Sequence, residues 1–551
     1  MNSFRLPSWM WLIPLLSIWF ALFLGNRPFA SPDEGRYVEI PREMVASGDY
    51  ITPRLNGVKY FEKPPLYYWL QAISIKAFGI QESAMRLWGV FFAMLGCMGT
   101  YFVGRRFFNP QAGIAAALIL AASPLYYALS RLIILDMAIT AFVSLSLWAF
   151  LVTIHTPPGR QRRLWAYAFY GCLSLGVLTK GLMALAIPGP VILIWALGTR
   201  RWKDLWPAYL PSGIFVFLAI AAPWHILAAL ENPDFIYKYF IVEHFMRYTT
   251  DVHMRTKPFW FFIPVLSLGL FPWISLLWSA VRQGFKTQNL DQRSIMIFLL
   301  VWIGWTFGFF SVSNSKLVPY ILPCFPPLAL ILGNYWVKIA LPSFTPQWRQ
   351  GILTFVSLAA TLGIAGIITL WLKPELIDHR PYLWFDFTAI ISILFILSGV
   401  AIFCLYQKWI KVSLTTLPLA AVMLVAAVIH LMPDLQRPSI KPLAEVILSL
   451  KKPGDIVGCY KAYYQDLPVY LQQTITVVDV KGELEFGCEA EDCSRWMMNE
   501  APFLDLWQGN KRFFLVARQG EIEALAKRVP AFTYTLLAEN QGNVLITNQA
   551  N

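Results

Sequence analysis

The sequence predicts a mostly α-helical, polytopic membrane protein that ends in a small soluble α/β domain. Of its 551 residues, 57% are hydrophobic and only 14% are charged, whereas a soluble protein carries about 25% charged residues. The mean hydropathy is +0.53. The apolar residues fall into runs long enough to cross a bilayer, which takes about 20 residues, but residues 433–551 lack such runs.

Thirteen apolar segments are candidates for transmembrane helices. They cover residues 8–26, 84–103, 111–128, 132–153, 164–179, 181–198, 208–229, 259–280, 294–312, 317–340, 351–372, 385–408 and 413–432. The first segment, between Arg5 and Pro28-Phe29-Ala30-Ser31, resembles a signal peptide. We expect it to remain as an uncleaved span, because cleavage after Ala30 would detach the polar motif that follows from its membrane anchor.

The distribution of cations orients these spans. If the N-terminus is cytoplasmic, the cytoplasmic connections hold sixteen Lys and Arg residues and two acidic ones, Asp204 and Asp291. The short loops on the other side hold Arg131, Lys180, Lys316, Lys373 and Arg380. Basic loops stay in the cytoplasm, so thirteen spans put the C-terminus outside. The net charge of +13 is then a signal of topology and lipid contact, and we expect no nucleic-acid partner.

The predicted transmembrane domain covers residues 1–432 and contains two long external loops. The loop 27–83 holds two stretches with helical apolar spacing, Tyr37–Ser47 and Leu66–Phe78. Both are too short to span, so we expect them to lie along the membrane interface. The second long loop covers residues 231–258.

Residues 433–551 predict a soluble α/β domain on the external face. Short β-branched runs alternate there with polar stretches such as Glu521–Arg528. The strands are expected at Asp455–Tyr460, Thr474–Val480, Arg512–Ala517, Tyr534–Ala538 and Asn543–Thr547. Cys488 and Cys493 either form a small disulfide or remain free thiols. We see no catalytic constellation in this domain and expect it to assist recognition or cover the membrane site.

The first external loop carries the most informative motif, Ser31-Pro32-Asp33-Glu34-Gly35-Arg36-Tyr37. It concentrates charge at the edge of a bilayer, where charges need water, a partner or a ligand. Asp33 and Glu34, with Glu62 in the next motif of the loop, are therefore candidate catalytic carboxylates. The alternative is structural, since Ser-Pro-Asp-Glu is also a good helix start.

Other external loops offer cations beside small or hydroxylated residues. A lone lysine at a helix end usually snorkels, but a set on one face can bind an anion, and phosphate is the anion expected at a membrane surface. Asp136, inside an apolar run, is a further catalytic candidate, with an ion pair to Arg131 as the alternative. The candidate phosphate-binding or lipid-binding residues are Arg36, Lys63, Arg131, Lys180, Arg247 and Lys316, with Tyr37, Tyr60 and Tyr320 as hydrogen-bond donors.

The signal for a metal or a nucleotide is weak. Glu243-His244 with Arg247 one turn later could contact a phosphate or a divalent metal, and a solvated helix face is the alternative. Glu62 and His244 are the candidate metal ligands. The sequence has no HExxH or CxxC motif and no glycine-rich nucleotide loop, so we expect no required cofactor.

Several motifs resemble those of the aminoarabinose transferases, lipid-linked glycosyltransferases of the GT-C type that are related to the protein O-mannosyltransferases. They are Ser31–Tyr37, Gly48–Gly57, Tyr60–Leu66, Arg131–Asp136, Leu178–Gly181 and Ser315–Pro323. The resemblance implies transfer of 4-amino-4-deoxy-L-arabinose from undecaprenyl phosphate to lipid A at the periplasmic face of the bacterial inner membrane. It also implies resistance to polymyxin and cationic peptides, a monomeric enzyme, and Asp33 as the catalytic acidic residue.

The chemistry of the acceptor qualifies the role of Asp33. A phosphate nucleophile is already largely ionised near neutral pH, because its second pKa is about 6. Asp33 would then orient the acceptor or stabilise positive charge on the sugar, and a single displacement would invert the anomeric centre. Two alternatives remain: transfer of another sugar, such as mannose, to protein or another glycan, with Asp33 as a base, and a transporter or flippase, which needs midplane charges and repeat halves.

Overall fold

Helices occupy all thirteen segments that the sequence predicts as membrane spans. The structure, a computed structural model, describes residues 8–249, 256–339, 346–372, 381–435 and 439–549. The helices at these segments are Ser8–Ala21, Glu82–Phe107, Pro110–Ala121 with Pro124–Ser130, Leu135–Ile154, Arg160–Lys180, Met183–Ala186 with Pro188–Thr199, Leu210–Glu231, Phe262–Gly269 with Leu277–Phe285, Leu290–Val312, Phe325–Ile339, Pro346–Leu372, Pro381–Tyr406 and Ile410–Leu435. Short 3₁₀ segments lie at Trp202–Ala208, Trp273–Leu276 and Val318–Cys324, and a π-helix, Tyr237–Met246, is followed by the turn Arg247–Thr249.

Within the described residues, eight helices are long and apolar enough to cross a membrane. Two bent pairs bring the number to ten, with bends of 67° after Ala121 and 99° after Gly269. The helices at the first, fifth and sixth segments are shorter or less apolar. A multi-pass membrane protein is therefore confirmed, while the count of thirteen stays a prediction.

The first external loop folds into two helices and a hairpin. The helices are Asp33–Ser47 and Leu66–Phe78, so both predicted interfacial helices form. The first ends at Gly48, which adopts φ 77° as a left-handed cap. The hairpin pairs β1 (Arg54–Leu55) with β2 (Val58–Lys59). Its turn, Asn56-Gly57, has two positive φ angles, as a two-residue hairpin turn requires.

The C-terminal residues form a six-stranded mixed sheet with helices around it. The strands are β3 (Ile456–Tyr460), β4 (Thr476–Val478), β5 (Met497–Met498), β6 (Phe513–Arg518), β7 (Thr535–Asn540) and β8 (Asn543–Thr547). Their order in the sheet is β5-β4-β3-β6-β8-β7. The first four strands in this order are parallel, and β8 pairs antiparallel with both β6 and β7. The helices are Lys441–Leu450, Leu467–Leu471, Glu485–Ala490, Glu500–Trp507 and Gln519–Arg528, with a 3₁₀ turn at Gly482–Leu484. The predicted α/β fold is confirmed, and Cys488 and Cys493 are joined as a disulfide.

The sheet region packs directly on the first external loop. The Asn56 side chain donates to the Ile475 carbonyl and accepts from the Ile475 N–H, both at 2.9 Å. Arg54 and Glu491 form an ion pair of 2.8 Å. One buried apolar cluster continues from the membrane helices into one face of the sheet. The C-terminal residues are thereby held against the loop that carries the acidic motif.

Candidate active site

A buried carboxylate, Glu34, holds the loop that follows the first helix. Its side chain is 1% exposed, and Arg27 Nη1 and Arg86 Nη2 each lie 2.8 Å from Oε2. The backbone N–H groups of Ala30 and Ile133 donate to the same carboxylate. Burial by itself would raise the pKa of Glu34, but the two arginines lower this pKa to about 2, so the carboxylate stays ionised.

These contacts correct two assignments made from the sequence. Glu34 has no side left open to a substrate, so its role is structural and not catalytic. Arg131 is buried as well, and its Nη1 donates at 3.1 Å both to the Phe20 carbonyl and to the Tyr127 hydroxyl. This guanidinium therefore supports the loop, and Arg131 is not among the residues that line the apolar cavity or the two polar cavities described below.

An apolar cavity of about 370 Å³ lies between the membrane helices and ends at charged groups. Its walls are Leu182, Met183, Ala186, Phe245, Phe309 and Phe310. The charged end combines three predicted site residues, Lys63, Lys180 and Tyr320, with the carboxylates of Glu62 and Glu243. An apolar cavity whose charged end offers two lysines, held by neighbouring carboxylates, suits a lipid with an anionic head group.

The lysines at this end are held by carboxylates and by an aromatic ring. Lys180 Nζ donates to Asp136 Oδ1 at 2.5 Å and lies 4.8 Å from the centre of the Tyr320 ring. Lys63 Nζ lies 3.7 Å from Glu243 Oε2. Asp136 thus pairs with Lys180, and its predicted alternative pair with Arg131 does not form. The predicted grouping of Lys63, Lys180 and Tyr320 on one side does occur.

Arg36 connects the acidic motif with the C-terminal residues. Its Nη2 lies 2.8 Å from Glu483 Oε2, and its Nη1 lies 3.8 Å from Asp33 Oδ1. The Asp33 side chain is 60% exposed, in contrast to its neighbour Glu34. The Tyr60 hydroxyl donates to Glu483 at 3.4 Å. Asp33 is therefore the accessible carboxylate of the motif, and Arg36 beside it is held by its ion pair with Glu483.

Glu483 is a residue of the candidate site that the sequence does not single out. It follows Lys481-Gly482 in a polar stretch that carries no motif, and about 450 residues separate it from the loop it contacts. Burial raises the pKa of Glu483, Arg36 opposes the shift, and Glu62 adds to it. No signal in the sequence pairs it with Arg36.

Tyr37 and Tyr60 occupy packed positions. The Tyr37 ring lies 6.1 and 5.9 Å from the rings of Tyr67 and Tyr68. Burial raises the pKa of both Tyr37 and Tyr60 well above the usual value, so both hydroxyls stay neutral. Because Tyr37 lies in the core, the structure argues against its direct contact with a phosphate. The hydroxyl of Tyr60 is directed to Glu483.

Two polar cavities flank the Arg36–Glu483 ion pair. The first, of about 800 Å³, is acidic. Its charged lining consists of Arg36, Lys238, Glu62, Asp234, Glu243, Glu483, Glu485 and Glu489. The second, of about 640 Å³, is basic, and its charged lining consists of Arg36, Lys481, Arg518 and Glu483. Glu62 and Glu243 belong both to the acidic cavity and to the apolar one.

The remaining predicted site residues fall outside this geometry. The side chains of His244 and Arg247 lie outside the described residues. Lys316 is buried, and its Nζ donates to the Ser313 carbonyl at 2.5 Å, next to the apolar cavity that Ser313 and Ser315 line. In the parts of the chain that the structure describes, no three His, Cys, Asp or Glu residues are grouped to hold a metal. The proposed metal ligands Glu62 and His244 therefore stay a prediction.

Two family models match this chain. Residues 28–239 match the model of dolichyl-phosphate-mannose-protein mannosyltransferases. Residues 443–548 match the model of the aminoarabinose transferase C-terminal domain. The first match contains the acidic motif, and the second contains Glu483 and the whole sheet.

Several curated proteins that are similar to this chain carry the same name. The undecaprenyl phosphate-alpha-4-amino-4-deoxy-L-arabinose arabinosyl transferase of Pectobacterium atrosepticum is 30% identical over 94% of this chain and 92% of its own length. The enzyme of that name from Edwardsiella ictaluri is 32% identical over 68% of this chain and 67% of its own length. The crystal structure of ArnT from Cupriavidus metallidurans bound to undecaprenyl phosphate has a TM-score of 0.84 and 28% identity, covering 98% of both chains. The chain belongs to the family of undecaprenyl phosphate-4-amino-4-deoxy-L-arabinose arabinosyl transferases, which are lipid-linked-sugar glycosyltransferases.

Proposed function

We propose that this protein transfers 4-amino-4-deoxy-L-arabinose from undecaprenyl phosphate to a phosphate of lipid A, and thereby confers resistance to polymyxin and cationic peptides. Its N-terminus is in the cytoplasm, its C-terminal domain is in the periplasm, and it acts as a monomer in the bacterial inner membrane. The family supports the donor. The sequence resemblance and the charge of the cavities support the acceptor.

The apolar cavity is the observation that carries this proposal. Its hydrocarbon-like walls suit a polyprenyl chain, and its charged end offers Lys63, Lys180 and Tyr320 to the phosphate. As the bond to the sugar breaks, negative charge grows on the departing phosphate. Cations fixed in an apolar surrounding stabilise that charge more strongly than water-exposed cations do. The two lysines therefore promote departure as well as binding.

The reaction follows from the charges that surround the sugar. An ionised acceptor phosphate attacks the anomeric carbon, the bond to the donor phosphate oxygen breaks, and no proton has to move. A single displacement of this kind inverts the anomeric centre. Asp33 is an exposed carboxylate 3.8 Å from Arg36, a residue that lines both polar cavities. From this position we propose that it orients the acceptor or stabilises positive charge on the sugar ring.

The acidic cavity favours an aminosugar over a neutral sugar. Six carboxylates and only two cations line it, so its potential attracts the ammonium group of 4-amino-4-deoxy-L-arabinose. A neutral mannosyl group carries no positive charge for these carboxylates to attract. This charge balance favours the proposal over the mannosyltransferase alternative. That alternative is supported by the match of residues 28–239 to the mannosyltransferase family model.

Mass spectrometry of lipid A tests the proposed function. Lipid A from cells that produce this protein, with the donor available, should carry the added mass of one aminopentose. Lipid A from cells of the same strain without this protein serves as the control. The absence of the increment in the first culture, or its presence in both, would contradict the proposal.

Lys63→Gln should weaken use of the donor. A hydrogen bond to a charged group contributes about 1.5–3 kcal/mol, so we expect the KM for the donor to rise about tenfold or more. The measurement is transfer by purified protein at varied donor concentration. Lys59→Gln, four residues earlier and not among the cavity residues, should leave that KM within twofold, and an equal change in the two variants would speak against a phosphate contact of Lys63.

A further inference from the structure

The basic cavity joins the C-terminal sheet to the acidic motif. Ser31 and Pro32, directly before Asp33, form one part of its wall. Lys481 and Arg518 come from the C-terminal domain and are exposed. In the described parts of the chain neither forms an ion pair with a carboxylate. Unpaired cations inside a concave surface create a positive potential that attracts anions.

We propose that this cavity docks the phosphorylated head group of the acceptor lipid, with Lys481 and Arg518 binding its phosphate oxygens. The inference rests on the proposed function and adds a binding site to it. A volume of about 640 Å³ has room for a phosphorylated sugar. A head group in this cavity lies beside Asp33 and Arg36, where its reacting phosphate is needed.

The topology of the sheet places a ligand site at this position. The chain leaves β3 towards β4 on one side, while β6 lies on the other side of β3. In open α/β sheets ligands bind outside the carboxyl ends of the strands, where the strand order reverses. The segments after these carboxyl ends line the cavity: 462–465 after β3, 480–483 after β4, and Arg518 at the end of β6.

The two polar cavities leave the anionic head group one favourable approach. The acidic cavity repels it, since carboxylates dominate that lining. The apolar cavity is suited to the donor chain and meets the acidic cavity at Glu62 and Glu243. Donor and acceptor then use different cavities around the Arg36–Glu483 pair, which lines both polar cavities. Asp33 lies next to that pair.

Two donor groups at the cavity lack acceptors. Arg36 Nε and the Tyr463 hydroxyl are buried without a hydrogen-bond partner in the described structure, and both residues line this cavity. Buried donors normally have acceptors. Phosphate oxygens are acceptors, and after a small adjustment of the wall they would satisfy both groups.

The test compares two double variants of the full-length protein in lipid nanodiscs. Lys481→Gln/Arg518→Gln removes the cavity cations, whereas Lys511→Gln/Lys527→Gln removes the same charge from exposed positions of the same domain outside the cavity. We expect binding of bisphosphoryl lipid A to weaken about tenfold or more in the first variant only. The KM for lipid A should rise equally, with the KM for the donor unchanged. Lys481→Arg/Arg518→Lys, which keeps both charges, should restore binding.

Each outcome decides between the two proposals. Equal lipid A binding by the two double variants would overturn the docking site. Displacement of lipid A from the native protein by millimolar inorganic phosphate would mean that the cavity takes free small anions, and would overturn the head-group assignment. A third outcome separates the two proposals. If the native protein binds lipid A but transfers no sugar, and only the cavity variant has weakened binding, the proposed function falls and the docking site stands.

Discussion

Asp33→Asn should abolish sugar transfer while the protein remains in the membrane. The Asp33 side chain is 60% exposed and lies 3.8 Å from Arg36, so the isosteric amide should fit without disturbing the fold. It removes the negative charge that we propose acts on the acceptor or on the sugar ring. Catalytic groups that act on developing charge or protons contribute about 10²–10⁴-fold, so we expect kcat to fall by about that factor with little change in the KM for the donor.

The matched control is Asp505→Asn, an exposed aspartate on the helix Glu500–Trp507 of the C-terminal domain. It should leave kcat unchanged. The measurement is a single-turnover rate with purified protein, together with the amount of each variant in the membrane. Full activity of Asp33→Asn at native abundance would remove Asp33 from the mechanism.

The acceptor decides which role Asp33 has. With a phosphate nucleophile, transfer should lose rate as the pH falls below about 6, because the acceptor itself becomes protonated. An acceptor that presents a neutral hydroxyl would instead need Asp33 as a base. The measurement is the pH–rate profile with acceptors whose phosphate groups differ in pKa. A profile that shifts with the pKa of the acceptor indicates a phosphate nucleophile, and one that does not shift indicates Asp33 as the base.

The sequence predicts the helices well because hydropathy is a local property. Leu66–Phe78 forms a helix with the predicted bounds, because its apolar spacing is a property of that stretch alone. The grouping of Lys63, Lys180 and Tyr320 was also predictable. Three loops that emerge on the same side of a bilayer can meet, whatever the packing between the spans.

The roles of neighbouring charges could not be read in the same way. Asp33 and Glu34 are adjacent in a helix, where successive side chains point about 100° apart, so one faces solvent and the other faces the core. Which of them is buried depends on Arg86, 52 positions along the chain from Glu34. The apolar periodicity of a helix does not identify such a distant partner. The same argument applies to Arg36 and Glu483, whose contact exists only because the sheet docks on the loop.

Glu34→Gln should cause the largest loss of stability. The carboxylate compensates Arg27 and Arg86, and Arg86 has an exposure of 0%. Loss of one partner leaves buried charge uncompensated, which costs about 3–5 kcal/mol. The measurement is the free energy of unfolding in mixed micelles. Glu82→Gln breaks the more exposed Lys441–Glu82 pair and should cost less than about 1 kcal/mol.

The pH dependence of unfolding distinguishes the charge of Glu34 from its shape. Its pKa in the folded protein is lowered to about 2 from an ordinary value of 4.5, so the folded state favours the ionised form. This contribution, on the order of 3 kcal/mol, is fully present above pH 4.5 and is lost as the pH falls towards 2. The stability of the native protein should therefore decline over that interval more steeply than that of Glu34→Gln, and the two should converge at the acidic end. Parallel curves would mean that Glu34 acts through packing and that its charge contributes nothing.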